Sequence, residues 1–129
     1  MKKIIKTPNA PAAIGPYSQA VEINGTLFIS GQVPVDPATG RIVEGDIRIQ
    51  TEQVFRNIDA ILTAAGFTFS EVVKSTCYLA DISDFKAMNE VYAVYYPENE
   101  PARVTVAVKG LPLGAMIEIE TVAVRKDTE

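Results

Sequence analysis

The chain has 129 residues, 47% hydrophobic and 22% charged, with a formal net charge of -4. That is the size and composition of one globular domain with a core of its own, needing no disulfide or metal staple. A single cysteine, Cys77, excludes an internal disulfide and fits a reducing compartment, and the absence of histidine removes the commonest metal ligand and general base. Interspersed charge with an acidic balance argues against nucleic acid as the main partner.

The start, Met1 to Lys6, has two apolar residues before a lysine, too few for a secretory signal, and no stretch reaches the length of a membrane span. These features predict a cytoplasmic protein with no membrane partner. Thr7 to Pro16 carries three prolines and reads as an extended lead-in. Ala20 to Ile23 and Leu27 to Ile29 flank Asn24-Gly25, a strong hairpin signal. Pro34 to Gly45 is a turn-rich loop containing Asp36-Pro37 and Thr39-Gly40.

From Asp46 the period changes. Val54, Phe55, Ile58, Ile61, Leu62 and Ala65 mark one face of a helix, which Asp46 caps and Gly66 ends. Val72-Val73 and Ser75 to Leu79 read as a strand. Phe85, Met88, Tyr92 and Tyr95 return to helical spacing from about Asp84 to Tyr96, where Pro97 stops the helix. Strands at Arg103 to Val108 and Met116 to Arg125 follow, joined by a turn around Gly110 to Gly114. This order predicts an α+β fold, a mixed sheet with two helices on one face. The other face has no cover within the chain, so a homo-oligomer is expected.

Motifs for dinucleotides, phosphate loops, paired cysteines and serine nucleophiles are absent. Cys77 lies in an apolar strand and reads as a small buried hydrophobe. Arg103 opens a strand after Pro101-Ala102; it is either a surface arginine or a two-pronged carboxylate clamp. Strand alternation puts Glu118 and Glu120 on one face, either as a solvated pair or with one carboxylate positioning a water. Tyr17 closes the lead-in, Ser30-Gly31 ends the first hairpin, and Asn89 lies outside the apolar stripe of its helix. Each is a candidate ligand contact set against a plain packing or surface role.

Three ordered blocks resemble the RidA (YjgF) family. They are Ala10-Pro11-Ala12-Ala13-Ile14-Gly15-Pro16-Tyr17-Ser18-Gln19-Ala20, then Ile29-Ser30-Gly31-Gln32-Val33-Pro34, then Pro101-Ala102-Arg103-Val104 with Val106, Lys109, Leu111 and Ile117-Glu118-Ile119. The resemblance implies a chorismate-mutase-like fold and a homotrimer in which three sheets form a central barrel with ligand clefts between subunits. It implies hydrolysis of reactive 2-imino acids, such as 2-iminobutanoate and 2-iminopropanoate, to 2-oxo acids and ammonia without metal or cofactor. Arg103 matches the family's carboxylate-binding arginine and Glu118 its water-positioning glutamate. Tyr17, Ser30, Gly31 and Asn89 match residues that line its cleft. Many members carry serine and cysteine where this chain has Val104 and Thr105, so Thr105 stands in the place of a thiol. Competing readings are a 2-oxo-acid-binding regulatory module, an RNA-directed ribonuclease or translation inhibitor, and a holdase.

Overall fold

In a computed structural model, residues 1–126 are described. Strands β1 (Lys3–Ile5), β2 (Ala20–Ile23) and β3 (Thr26–Gln32) lead through a short ribbon, β4 (Val35–Asp36) and β5 (Arg41–Ile42), into helix α1 (Ile47–Ala65). Strand β6 (Val72–Leu79), helix α2 (Phe85–Tyr95), β7 (Ala102–Ala107) and β8 (Ile117–Val124) complete the chain. The main sheet runs in the order β1-β2-β3-β8-β6-β7, and only the β6–β7 pair is parallel, because α2 carries the chain back across the sheet.

Local signals account for the element ends. Asn24 and Gly25 have φ of 50° and 79°, the left-handed pair that a two-residue hairpin turn with the right twist demands. Asp46 caps α1 by accepting the Ile49 N–H at 3.1 Å. Gly66 closes α1 in the left-handed region, and the Phe67 N–H returns to the Leu62 carbonyl at 2.8 Å. Helix α2 ends at Tyr95 because Tyr96 precedes Pro97, whose ring pushes it out of helical space.

The predicted apolar face of α1 is the centre of the core, with Val54, Phe55, Ile58, Ile61 and Leu62 wholly buried. Both helices pack on one face of the sheet, as expected. On the opposite face Ile4, Val21, Phe28 and Val122 align across β1, β2, β3 and β8, with Val104 and Val106 on the β7 edge. Ile4, Phe28, Val104 and Val106 are exposed there.

Two features escaped the sequence reading. Strand β1 lies among three lysines that mask its alternation, yet Ile5 is buried and Ile4 is not. The loop at Pro34 to Gly45 contains the β4–β5 ribbon, which Asp36 organises by accepting the Ala38 N–H at its carboxylate, 2.8 Å away.

Phe55 stacks on Tyr95 with centroids 4.4 Å apart and meets Tyr92 and Tyr96 edge-on. Phe55→Ala removes the ring that ties α1 to α2 and should cost about 3–5 kcal/mol in denaturant unfolding. A loss below about 1 kcal/mol would mean that the cluster closes over the vacancy.

Candidate functional site

Gly31 and Glu118 form the first half of the site, on the open face. Pairing of β3 with β8 slips by one residue between Ile29 and Gln32, a bulge that sets Ser30 and Gly31 against one residue of β8. A Cβ on Gly31 would lie 2.9 Å from the Glu118 Cδ, so the carboxylate rests directly over glycine backbone. Tyr17, Ser30, Gly31 and Glu118 line one cleft with Ile14, Val33, Pro112 and Leu113. The Ser30 hydroxyl is already committed, donating to the Ser18 carbonyl at 2.6 Å.

Burial first, and then the charge of Glu120, push the Glu118 carboxyl above the ordinary carboxylate range. Glu120 shares that face, as alternation predicts, but it is exposed and accepts the Tyr78 hydroxyl at 2.6 Å. The two carboxylates therefore differ in environment: one is half-buried in a cleft, the other solvated and hydrogen-bonded.

Arg103 anchors the second half. Its guanidinium donates to the Asn89 Oδ1 at 2.7 Å and lies 4.6 Å from the Tyr92 ring centroid and 5.4 Å from that of Phe85. Three groups of the β6–α2–β7 unit thus fix the fork before any ligand arrives. Asn89 serves Arg103 in this arrangement, accepting the guanidinium at its side-chain carbonyl. Thr105 sits two residues along β7 on the same face, beside Cys77 in register. Its buried hydroxyl has no protein partner, nor have those of Tyr92 and Tyr96. Burial raises the Cys77 thiol above its ordinary value, so this thiol is inert packing.

The two halves do not meet within one chain. Arg103 aligns with Ser75, and Ser75 with Thr121, on the face covered by the helices. Glu118 is three residues from Thr121 on the same strand and points to the opposite face. Arg103, Asn89, Tyr92 and Tyr96 line a cleft separate from that of Glu118.

Sequence reasoning missed three contributors. Phe85 and Tyr92 carry an apolar-stripe signal that says nothing of a cation at their faces. Gln19 is buried and staples the lead-in that carries Tyr17: its amide accepts the Thr7 N–H at 2.7 Å and donates to the Pro11 carbonyl at 2.8 Å. Among the described residues no three His, Cys, Asp or Glu side chains converge as metal ligands, and no helix is long and apolar enough to cross a membrane.

Residues 7–125 match the family described as Endoribonuclease L-PSP. The chain belongs to this family, which is the RidA family of the sequence resemblance. It is 56% identical to a RutC family protein of Pyrococcus horikoshii, covering 98% of this chain and all of that one. It is 47% identical to the 2-iminobutanoate/2-iminopropanoate deaminase of Homo sapiens, covering 97% of this chain and 91% of that one. The crystal structure of a protein from Thermotoga maritima superposes with a TM-score of 0.96 at 47% identity, over 98% of this chain and 100% of that one.

Cys77 should resist a thiol reagent in the native protein and react promptly in denaturant, as read by absorbance of the released chromophore. Stoichiometric labelling of the native protein would contradict the buried, high-pKa thiol.

Proposed function

We propose that this protein hydrolyses reactive 2-imino acids to 2-oxo acids and ammonia in clefts between the subunits of a homotrimer. The observation that carries the reading is the pair of half-sites: a pre-held guanidinium on one sheet face, and a desolvated carboxylate over glycine backbone on the other. Each is incomplete alone. In a trimer whose uncovered sheet faces form a chorismate-mutase-like barrel, the Arg103 edge of one subunit meets the Glu118 cleft of the next.

The chemistry suits those residues. The guanidinium holds the substrate carboxylate through two parallel hydrogen bonds. Glu118 holds a water against C2 of the imine and takes its proton as the C–O bond forms and the C=N π electrons move to nitrogen. Returning that proton to nitrogen completes the tetrahedral adduct; Glu118 then takes the adduct's hydroxyl proton and passes it to nitrogen as the C=O bond forms and the C–N bond breaks, releasing ammonia and the 2-oxo acid. No oxidant, metal or cofactor enters this balance. Positioning with acid–base help of about a hundred- to ten-thousand-fold is enough for an imine that already reacts with water. A 2-oxo-acid sensor has no use for a carboxylate beside an anionic ligand, and an RNA-directed activity fits poorly with a net charge of -4. The single cysteine supports a cytoplasmic setting.

With 2-iminobutanoate generated in place by a threonine dehydratase, Glu118→Gln should lower turnover about a hundredfold or more while 2-oxo acid binding is kept. Glu120→Gln, on the same face, should keep most of the activity. The raised Glu118 pKa sets the acid limb of the parental pH profile: activity falls as the carboxylate protonates, at a higher pH than an ordinary glutamate gives. The limb should vanish in Glu118→Gln. Full activity in that variant would end the proposed role.

Light scattering should give about three times the 14.0 kDa chain mass. Refolding Arg103→Ala and Glu118→Gln chains together should restore activity, because roughly a quarter of clefts then carry both intact residues. A monomer, or no regain on mixing, would rule out the shared cleft.

A further inference from the structure

The segment between α2 and β7 reads Pro97-Glu98-Asn99-Glu100-Pro101, and it brings two carboxylates close in sequence to Arg103. Asn99 has a φ of 53°, a left-handed conformation that asparagine tolerates better than most residues with a side chain. Pro101 keeps Glu100 out of helical backbone. Strand β7 begins only at Ala102, so strand alternation does not assign Glu100 to a face. The fold does: Glu100 lines the same cleft as Arg103, with Asn89, Tyr92, Tyr96 and Pro101.

An exposed carboxylate thus stands beside a cation without an acidic partner. The ion pairs among the described residues join Arg48 to Glu90, Arg56 to Glu52 and Arg125 to Glu22, and Arg103 is in none of them. Asn89 engages the Arg103 Nη1, and the rings of Tyr92 and Phe85 lie against the guanidinium. The rest of the planar fork is left for a carboxylate in the cleft. Glu100 carries the same chemical group as the ligand that Arg103 is read to bind, tethered to it through Pro101 and Ala102.

We propose that Glu100 is an internal competitor for Arg103: its carboxylate closes on the free edge of the guanidinium when the cleft is empty, and the carboxylate of an arriving imino acid must displace it. The proposal rests on the reading of Arg103 as the carboxylate clamp of an imine hydrolase. One fork edge takes one carboxylate in the two-pronged geometry, so closure and ligand binding exclude each other. Affinity is lowered by the fraction of time that the fork is open. An exposed ion pair is weak, so closed and open forms stay comparable in population, and the ligand is weakened roughly two- to sixfold. Substrate and 2-oxo acid product share the carboxylate and are weakened alike. Glu100 therefore acts on KM and leaves kcat as it is.

The test is titration calorimetry of the intact oligomer with 2-oxobutanoate at low ionic strength, which needs no turnover. Arg103→Ala should lose binding. Glu100→Gln should bind roughly two- to sixfold more tightly than the parent. Glu100→Asp keeps the charge on a shorter arm and should tighten binding by the same factor, because the contact is lost while the field remains. Glu98→Gln, in the same exposed bend, should bind as the parent does. With 2-iminobutanoate generated by a threonine dehydratase, Glu100→Gln should lower KM by the factor seen in calorimetry at unchanged kcat.

Binding by Glu100→Gln that equals the parent's would overturn the competitor and leave the Arg103 clamp standing. Tighter binding in Glu100→Gln but not in Glu100→Asp, or equal tightening in Glu98→Gln, would show negative charge acting at a distance and overturn the contact. Undiminished binding by Arg103→Ala would remove the clamp, and the competition for it as well. If affinity follows the Glu100 variants while no imine is consumed, the competitor stands and the hydrolase reading falls.

Discussion

The register of β8 between β3 and β6 is the constraint on which the rest of the molecule depends. Side chains on a strand alternate between faces, so once Thr121 is turned toward the helices, Glu118 and Glu120 must face away. The same ladder carries through Ser75 to Arg103 and turns it toward α2. A one-residue slip of β8 would turn its side chains over and bring Glu118 into the core, away from its cleft. The apolar residues Ile117, Ile119 and Ala123, wholly buried under α1, oppose any such slip.

Departures from that regularity are where the candidate chemistry sits. The bulge at Ser30-Gly31 breaks the β3–β8 ladder beside Glu118, and the missing Cβ there lets the carboxylate lie on the backbone. Burial without a cation beside it makes this carboxylate a better proton acceptor than a solvated one. Arg103 receives the opposite treatment, with aromatic faces and an amide oxygen that stabilise its charge and limit its rotamers. Electrostatic preparation is thus divided: one half holds a fixed cation, the other a partly desolvated carboxylate.

The sheet's other face links assembly to this division. An exposed row of Ile4, Phe28, Val104 and Val106 beside a fully packed helical face leaves association as the economical way to remove apolar surface from water. Under the trimer proposed above, the burial that stabilises the assembly is also what joins the two half-sites, so stability and activity share one surface.

Much of the architecture was legible in the sequence. The helical period from Val54 to Ala65, the Asp46 and Gly66 caps, and the Asn24-Gly25 turn are local signals, set by interactions within a few residues. The alternation that puts Glu118 and Glu120 together is equally local. The three blocks around Tyr17, Ser30-Gly31 and Arg103 pointed to the family because side-chain identity and order survive without coordinates. Strand β1 and the β4–β5 ribbon were not legible, since their two- and three-residue strands form only against partners supplied by the rest of the chain. The separation of Arg103 from Glu118 and the choice of Asn89 as the partner of Arg103 belong to tertiary structure alone. They depend on pairing between strands far apart in sequence and on a helix crossing over them, and no periodicity along the chain encodes which face of a distant strand a residue will meet.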